Sequence, residues 1–315
     1  MLRALLLFFS FASAFAEEVF FSPASPSYEL VFPRDHGSHP AFQTEWWYFT
    51  GHLVEEDRQI FEDPADFGFQ LTFFRRGASQ LRAANWQNDF LAHGALSILK
   101  ENRFLFSKLT SSGGLGVAGA KEGELLVWNK DWRAELDGNV LTMSYVVRHA
   151  SGDAHVQLQG KILHPIVLHG DRGYSKKGEC ETCASHYYSI PAIQLHGTVA
   201  IGATTVKVHG LGWLDHEFMS NALQSSQEGW DWLSIMLKDG RSLMLFQVRG
   251  KHGSGNYLSG TLTQNGRSSP LLPSEFTMTP RDLKRVVSPS GARYPLSWSI
   301  KAPKHGLDLI VTAAM

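Results

Sequence analysis

From Glu45 onward the chain is written in short segments in which apolar and polar residues alternate, separated by Gly, Asn, Asp and Pro. Alternation sends every second side chain to one face of a strand, and no stretch sustains the helical period over about ten residues. Segments 46–53, 67–74, 90–99, 124–129, 140–148 and 155–162 read as strands. A second series covers 187–196, 197–201, 206–214, 230–237, 241–249, 257–264 and 294–300. Asp239-Gly240 and Asn265-Gly266 are two-residue turn signals between such runs. The spacing predicts an all-β chain of antiparallel meanders or barrels, in two units whose boundary lies between Ser189 and Gln227. Short helices are expected only at 78–87 and 280–285, while 113–119 and 168–182 read as loops. The last run, 307–311, reads as a strand with no hairpin partner after it, so the second unit is short of closure or another element covers that edge.

With 315 residues, 43% of them hydrophobic, the chain can fill two cores. A net charge of -1 argues against nucleic acid and anionic membrane surfaces as partners, and a small, neutral molecule is the expected partner. Met1-Leu2-Arg3, an apolar run over 4–11 and the small-residue series Ala12-Ser13-Ala14-Phe15-Ala16 read as a signal peptide over 1–16. The expected location is therefore secreted or periplasmic, with no stable membrane insertion of the mature chain; an uncleaved N-terminal anchor is the alternative. Cys180 and Cys183 are the two cysteines. A local disulfide or a pair of free thiols fits them better than half of a zinc site, which needs further ligands.

Chemistry concentrates in two places. Thr44-Glu45-Trp46-Trp47-Tyr48-Phe49-Thr50-Gly51 sets aromatic rings beside a carboxylate on one strand. Glu45, Trp47 and Phe49 share one face, and Trp46, Tyr48 and Thr50 the other, so the strand belongs to a heavy aromatic core or lines a pocket for an apolar ligand. Gly210-Leu211-Gly212-Trp213-Leu214-Asp215-His216-Glu217, followed by Trp230 and Trp232, is the second. Asp215 and Glu217 face one way and His216 the other unless the chain bulges, which Gly210 and Gly212 make feasible. A carboxyl held among indoles keeps its proton near neutral pH and can act as a general acid, and indole faces stabilise a cation formed by protonating an alkene. The alternative is a buried Asp215–His216 pair that fixes the junction of the two units. His93, alone in an apolar strand, is a core residue or a liner of the same lumen as Glu45 or Tyr48. His36 and His39 lack the convergent partners of a zinc site, so no metal and no organic cofactor is expected. No nucleophile elbow and no phosphate-binding glycine motif is present.

Asp35-His36-Gly37-Ser38-His39-Pro40, Thr44 to Gly51, Tyr174-Ser175-Lys176-Lys177-Gly178, Ser185-His186-Tyr187-Tyr188-Ser189 and Trp213-Leu214-Asp215-His216-Glu217 occur in one order. Together they resemble the lipocalin-like family of carotenoid 1,2-hydratase (hydroxyneurosporene synthase) and relatives described as predicted secreted hydrolases. The resemblance implies two consecutive lipocalin-like (calycin) barrels, over 27–218 and 219–315, the second truncated. It also implies a site near their interface and cofactor-independent acid-base chemistry on an isoprenoid or lipid-like substrate. On that basis Asp215, His216, Glu45 and Tyr48 are the candidate catalytic residues. Trp46, Trp47, His93, Tyr187, Trp213, Trp230 and Trp232 are candidate substrate contacts. A lipid carrier without turnover is the competing class.

Overall fold

The structure is a computed structural model that describes residues 21–77, 88–150, 152–180, 182–220, 224–251, 256–281, 285–287 and 293–314. The expected signal peptide and the expected helix at 78–87 lie outside them. Where 280–285 is described it is not helical: Pro280 ends one strand and Arg285 begins the next. Among the described residues no helix is long and apolar enough to cross a membrane.

The first thirteen strands are β1 (Thr44–Glu55), β2 (Phe67–Gly77), β3 (Asn88–Ile98), β4 (Arg103–Ser112), β5 (Ala118–Ala120), β6 (Leu126–Asn129), β7 (Trp132–Asp137), β8 (Val140–Val147), β9 (Ala154–Ile162), β10 (Val167–Leu168), β11 (Tyr174–Lys176), β12 (Ala184–Ile201) and β13 (Thr204–Met219). They form one antiparallel sheet in the order β4-β3-β2-β1-β13-β12-β9-β8-β7-β6-β5, with β10 and β11 added to β12. The sheet curls into a nearly closed barrel, so the expected all-β, lipocalin-like class holds. Trp47, Phe49, Leu71, Phe73, Leu96, Trp132, Tyr145, Ile193 and Leu195 fill its interior. The stretch 168–182, expected as a loop, carries β11, and Cys180 and Cys183 close a disulfide just beyond it.

β14 (Gln227–Met236), β15 (Ser242–Gly250), β16 (Tyr257–Gln264) and β17 (Arg267–Leu271) make a second sheet. β18 (Thr277–Pro280), β21 (Ser297–Ala302) and β22 (Leu307–Thr312) make a third, and β19 (Arg285–Val287) pairs with β20 (Arg293–Pro295). Leu243, Leu245 and Leu262 of the second sheet share a core with Met278, Trp298, Ile300 and Leu307 of the third. Among the described residues β22 pairs only with β21 and lies at the edge of its sheet.

What positions the chemistry is the register at the middle of the barrel sheet. β13 runs between β1 and β12, pairing Tyr48 with Asp215 and Trp47 with His216 on one side, and Ser189 with Asp215 and Tyr188 with His216 on the other. Directly opposed residues share a face, so Asp215 keeps company with Tyr48, Tyr187 and Ser189, while His216 joins Glu45, Trp47 and Tyr188 inside the barrel. The bulge that Gly210 and Gly212 made feasible does not form, since β13 pairs with β1 without interruption from Val208 to Met219, and His216 opposes Asp215 and Glu217 as alternation requires. Those glycines permit close backbone approach instead: a Cβ at Gly210 would lie 2.0 Å from the His52 carbonyl oxygen. The register break falls on β12 between Ile190 and Ile193, where Ala192 takes a positive φ of 54°.

Candidate acid site at the sheet seam

The outer face of β1, β13 and β12 is roofed by the second sheet. Tyr187 and Trp213 pack against Met244, Phe246, Val248 and Trp232, so this seam is apolar and aromatic. Asp215 is buried within it at 4% exposure. The Tyr187 hydroxyl donates to Oδ2 at 2.7 Å, the Trp213 indole N–H donates to Oδ1 at 2.6 Å, and the Ser189 hydroxyl donates to Oδ1 as well. Trp232 Nε1 in turn donates to the Tyr187 hydroxyl at 3.0 Å, and its ring meets Tyr48 edge-on at 5.3 Å.

Burial lifts the Asp215 carboxyl to about 7; the nearby Glu217 charge pushes the same way, and the three donors pull against it. Tyr187 is held well above the ordinary phenol range by burial and by the two acids, so it stays a proton-bearing donor. Glu217, the next residue on this face, pairs with Lys177 Nζ at 2.8 Å. The Lys177 ammonium also lies 4.8 Å from the Tyr187 ring centre and 4.1 Å from that of Phe246.

The inner face carries a different group. Arg75 Nε donates to Glu45 Oε2 at 2.9 Å, and its Nη2 donates to both the His39 and the Phe42 carbonyls at 2.8 Å. His39 bridges two carboxylates, with Nδ1 2.7 Å from Glu45 and Nε2 3.1 Å from Asp35, and His216 Nε2 lies 2.9 Å from Glu45 Oε1. Burial opposes every charge here, yet the bonds from His216 and His39 and the charge of Arg75 hold Glu45 well below the ordinary carboxylate range. His39, also buried, is raised by its two carboxylate partners and carries a proton. His216 is lowered, chiefly by burial.

His39, Glu45 and His216 bring three potential ligand atoms within 4.8 Å. The 2.7 and 2.9 Å separations from Glu45 are those of shared protons, whereas ligands on one tetrahedral zinc stand about 3.3 Å apart. The arrangement fits an ion cluster fastening the segment before β1 onto the barrel.

Of the residues singled out in the sequence, the structure brings Asp215, Tyr48, Tyr187, Trp213 and Trp232 together. It separates Glu45 and His216 from them by the thickness of the sheet, so the four candidate catalytic residues do not share one site. No Asp215–His216 pair forms either, because uninterrupted pairing sends adjacent residues to opposite faces. Trp47 stacks on His216 at 4.7 Å inside the barrel. Trp46 is on the outer face, opposite Glu217 and 6.5 Å from Phe74. His93 shares that outer face but lies two strands from Tyr48, between Phe74 and Phe106, and lines neither cluster. Trp230 is 59% exposed and encloses nothing. The sequence reading assigned no role to Ser189, His169, Lys177 or Arg75. Ser189 and Lys177 stood inside quoted motifs, which was the available signal.

A family model described as AttH-like matches residues 23–315. A crystal structure of an AttH protein from Nitrosomonas europaea is similar to this chain with a TM-score of 0.77 and 28% identity, covering 89% of this chain and 84% of the other. The crystal structure of kievitone hydratase from Nectria haematococca is similar with a TM-score of 0.65 at 12% identity, covering 95% of this chain and 84% of that one, which is a likeness of fold. No curated protein matches the chain in sequence.

Proposed function

This chain belongs to the AttH-like family, and from that premise and the seam geometry we propose that it is an exported, cofactor-independent enzyme of hydratase type acting on an apolar isoprenoid or lipid-like molecule. One observation carries the reading: Asp215 is a buried carboxyl raised to about 7, held between a phenol, a hydroxyl and an indole. Such a group still bears its proton at neutral pH and can give it up without a large penalty.

In the proposed reaction the Asp215 proton bonds to the less substituted carbon of an alkene, and the π pair leaves the other carbon cationic. The Trp213 and Trp232 rings stabilise that charge where water is scarce. A water oxygen then bonds to the cation and releases a proton, so one water is added overall and the carboxyl is restored. Tyr187 and Tyr48 orient the carboxyl and the bound molecule. The fold of kievitone hydratase, whose printed name is that of a hydratase, and the resemblance to carotenoid 1,2-hydratase support the class of reaction.

The test is turnover of a terminal isoprenoid alkene in the presence of ¹⁸O-labelled water. The wild type is expected to yield the labelled alcohol, and Asp215→Asn to bind the alkene without converting it. Binding by both proteins with no alcohol from either would establish a carrier.

A further inference from the structure

We propose that His169 is a positioning residue for the Asp215 proton. It is the middle of a hydrogen-bonded row, Asp215–Ser189–His169–Thr261, whose direction reverses whenever the carboxyl changes protonation. The inference rests on reading Asp215 as the acid of the seam.

His169 follows β10 directly, and its backbone N–H donates to the Tyr187 carbonyl at 3.0 Å. Its ring is 1% exposed and lies 4.3 Å from that of Tyr187. Nε2 is 2.6 Å from the Ser189 hydroxyl on β12, and Nδ1 is 2.9 Å from the Thr261 hydroxyl on β16. Ser189 completes the connection to Asp215 Oδ1. The row therefore crosses from the barrel into the second sheet, with every link made by a side chain.

The groups facing it are Glu217 from β13, Tyr48 from β1, Tyr187 from β12 and the Lys177 ammonium beyond β11. Burial, helped by the Lys177 charge, holds the imidazole well below its ordinary value, so it remains neutral. A neutral imidazole between two hydroxyls must donate at one nitrogen and accept at the other.

Two arrangements satisfy every atom. With Asp215 protonated, its O–H donates to Ser189, Ser189 donates to Nε2, and Nδ1–H donates to Thr261. With Asp215 ionised, Thr261 donates to Nδ1, Nε2–H donates to Ser189, and Ser189 donates to the carboxylate. Passing from the second to the first moves one proton per link: a hydronium ion from the solvent protonates Thr261 Oγ1 and is left as water, Nδ1 captures the old hydroxyl proton, Nε2 gives its proton to Ser189, and Ser189 gives its own to Asp215. His169 ends as the other tautomer with no net charge.

Thr261 is itself buried at 3% exposure, but its end of the row lies next to an open cleft. Ser259, two residues along the same face of β16, lines an open cleft of about 780 Å³. Gly170 and Asp171, the residues after His169, form part of the same wall. Asp215 can thus regain its proton from the side away from its Trp213 and Trp232 neighbours.

NMR of the intact chain labelled with ¹⁵N-histidine and ¹³C-aspartate tests this. As the Asp215 carboxyl carbon titrates, the His169 Nδ1 and Nε2 shifts are expected to exchange their pyrrole-like and pyridine-like values, without an imidazolium signal. In Ser189→Ala the tautomer should stop responding to Asp215, and Thr261→Val offers the same break from the other end. A carboxyl that titrates beside a His169 of fixed tautomer, or beside an imidazolium, overturns the row alone. A carboxyl that stays ionised across the range overturns the acid reading, and the row with it.

Discussion

The two faces of β13 carry neighbouring residues with opposite electrostatics. Asp215, facing the seam, is an acid with hydroxyl and indole partners and no cation bonded to it. Glu45, on the face of His216, is buried to 0% exposure but touches Arg75, His39 and His216. Burial pushes both carboxyls up, and only the inner one has the counter-charges to reverse it. Burial alone therefore does not mark the proposed acid. The carboxyl without a cationic partner keeps its proton and is free for chemistry, while the paired one fastens the fold.

Breaking the inner cluster should cost most. Arg75→Met leaves Glu45 short of its guanidinium, and a loss of about 3–5 kcal/mol is expected in urea unfolding, as for other buried pairs missing one partner. Asp215→Asn should reverse that pattern, lowering turnover by on the order of 100-fold or more while shifting the unfolding midpoint little. An equal stability loss in both variants would erase the distinction between the faces.

Acid and base sharpen it further. The raised acid Asp215 favours folding fully below its unfolded value of 3.8, and that contribution is lost as pH rises through about 7. His39, raised above 6.5, contributes fully below 6.5 and loses its contribution as pH climbs through the higher folded value. Glu45, lowered below 4.5, contributes above 4.5 and loses its contribution as pH falls through the lower folded value. Unfolding of Asp215→Asn between about pH 2 and 8 should therefore lack the Asp215 part of the wild-type decline, which ends near 7, but keep the His39 decline above 6.5 and the Glu45 loss below 4.5. Smaller effects follow at the rim. Trp232→Phe removes the donor to Tyr187 and should weaken ligand binding by about 1 kcal/mol in calorimetry. Trp230→Ala, at an exposed site, should change stability by less than about 0.5 kcal/mol.

Much of the strand pattern was legible in the sequence because alternation and turn dipeptides are local. The division of Glu45, Trp47 and Phe49 from Trp46, Tyr48 and Thr50, and of Asp215 from His216, follows from the two-residue period alone. What alternation leaves open is which face of one strand meets which face of another. That depends on pairing Trp47 with His216 across 169 positions, and a shift by one residue would have put Glu45 on the face of Asp215. His169 was hidden for a related reason: its partners Ser189 and Thr261 come from separate strands, and one of them belongs to another sheet. Glycines 210 and 212 suggested only a bulge, and what the sequence could not show is that the neighbouring strand passes too close for a Cβ at Gly210.

The most direct test of the contrast between the faces is the infrared difference spectrum of the wild type against Asp215→Asn as a function of pH. A protonated-carboxyl C=O band that belongs to Asp215, is present at pH 6 and disappears as pH passes about 7, is the expected result. An Asp215 that shows only carboxylate bands at pH 6 would contradict the account.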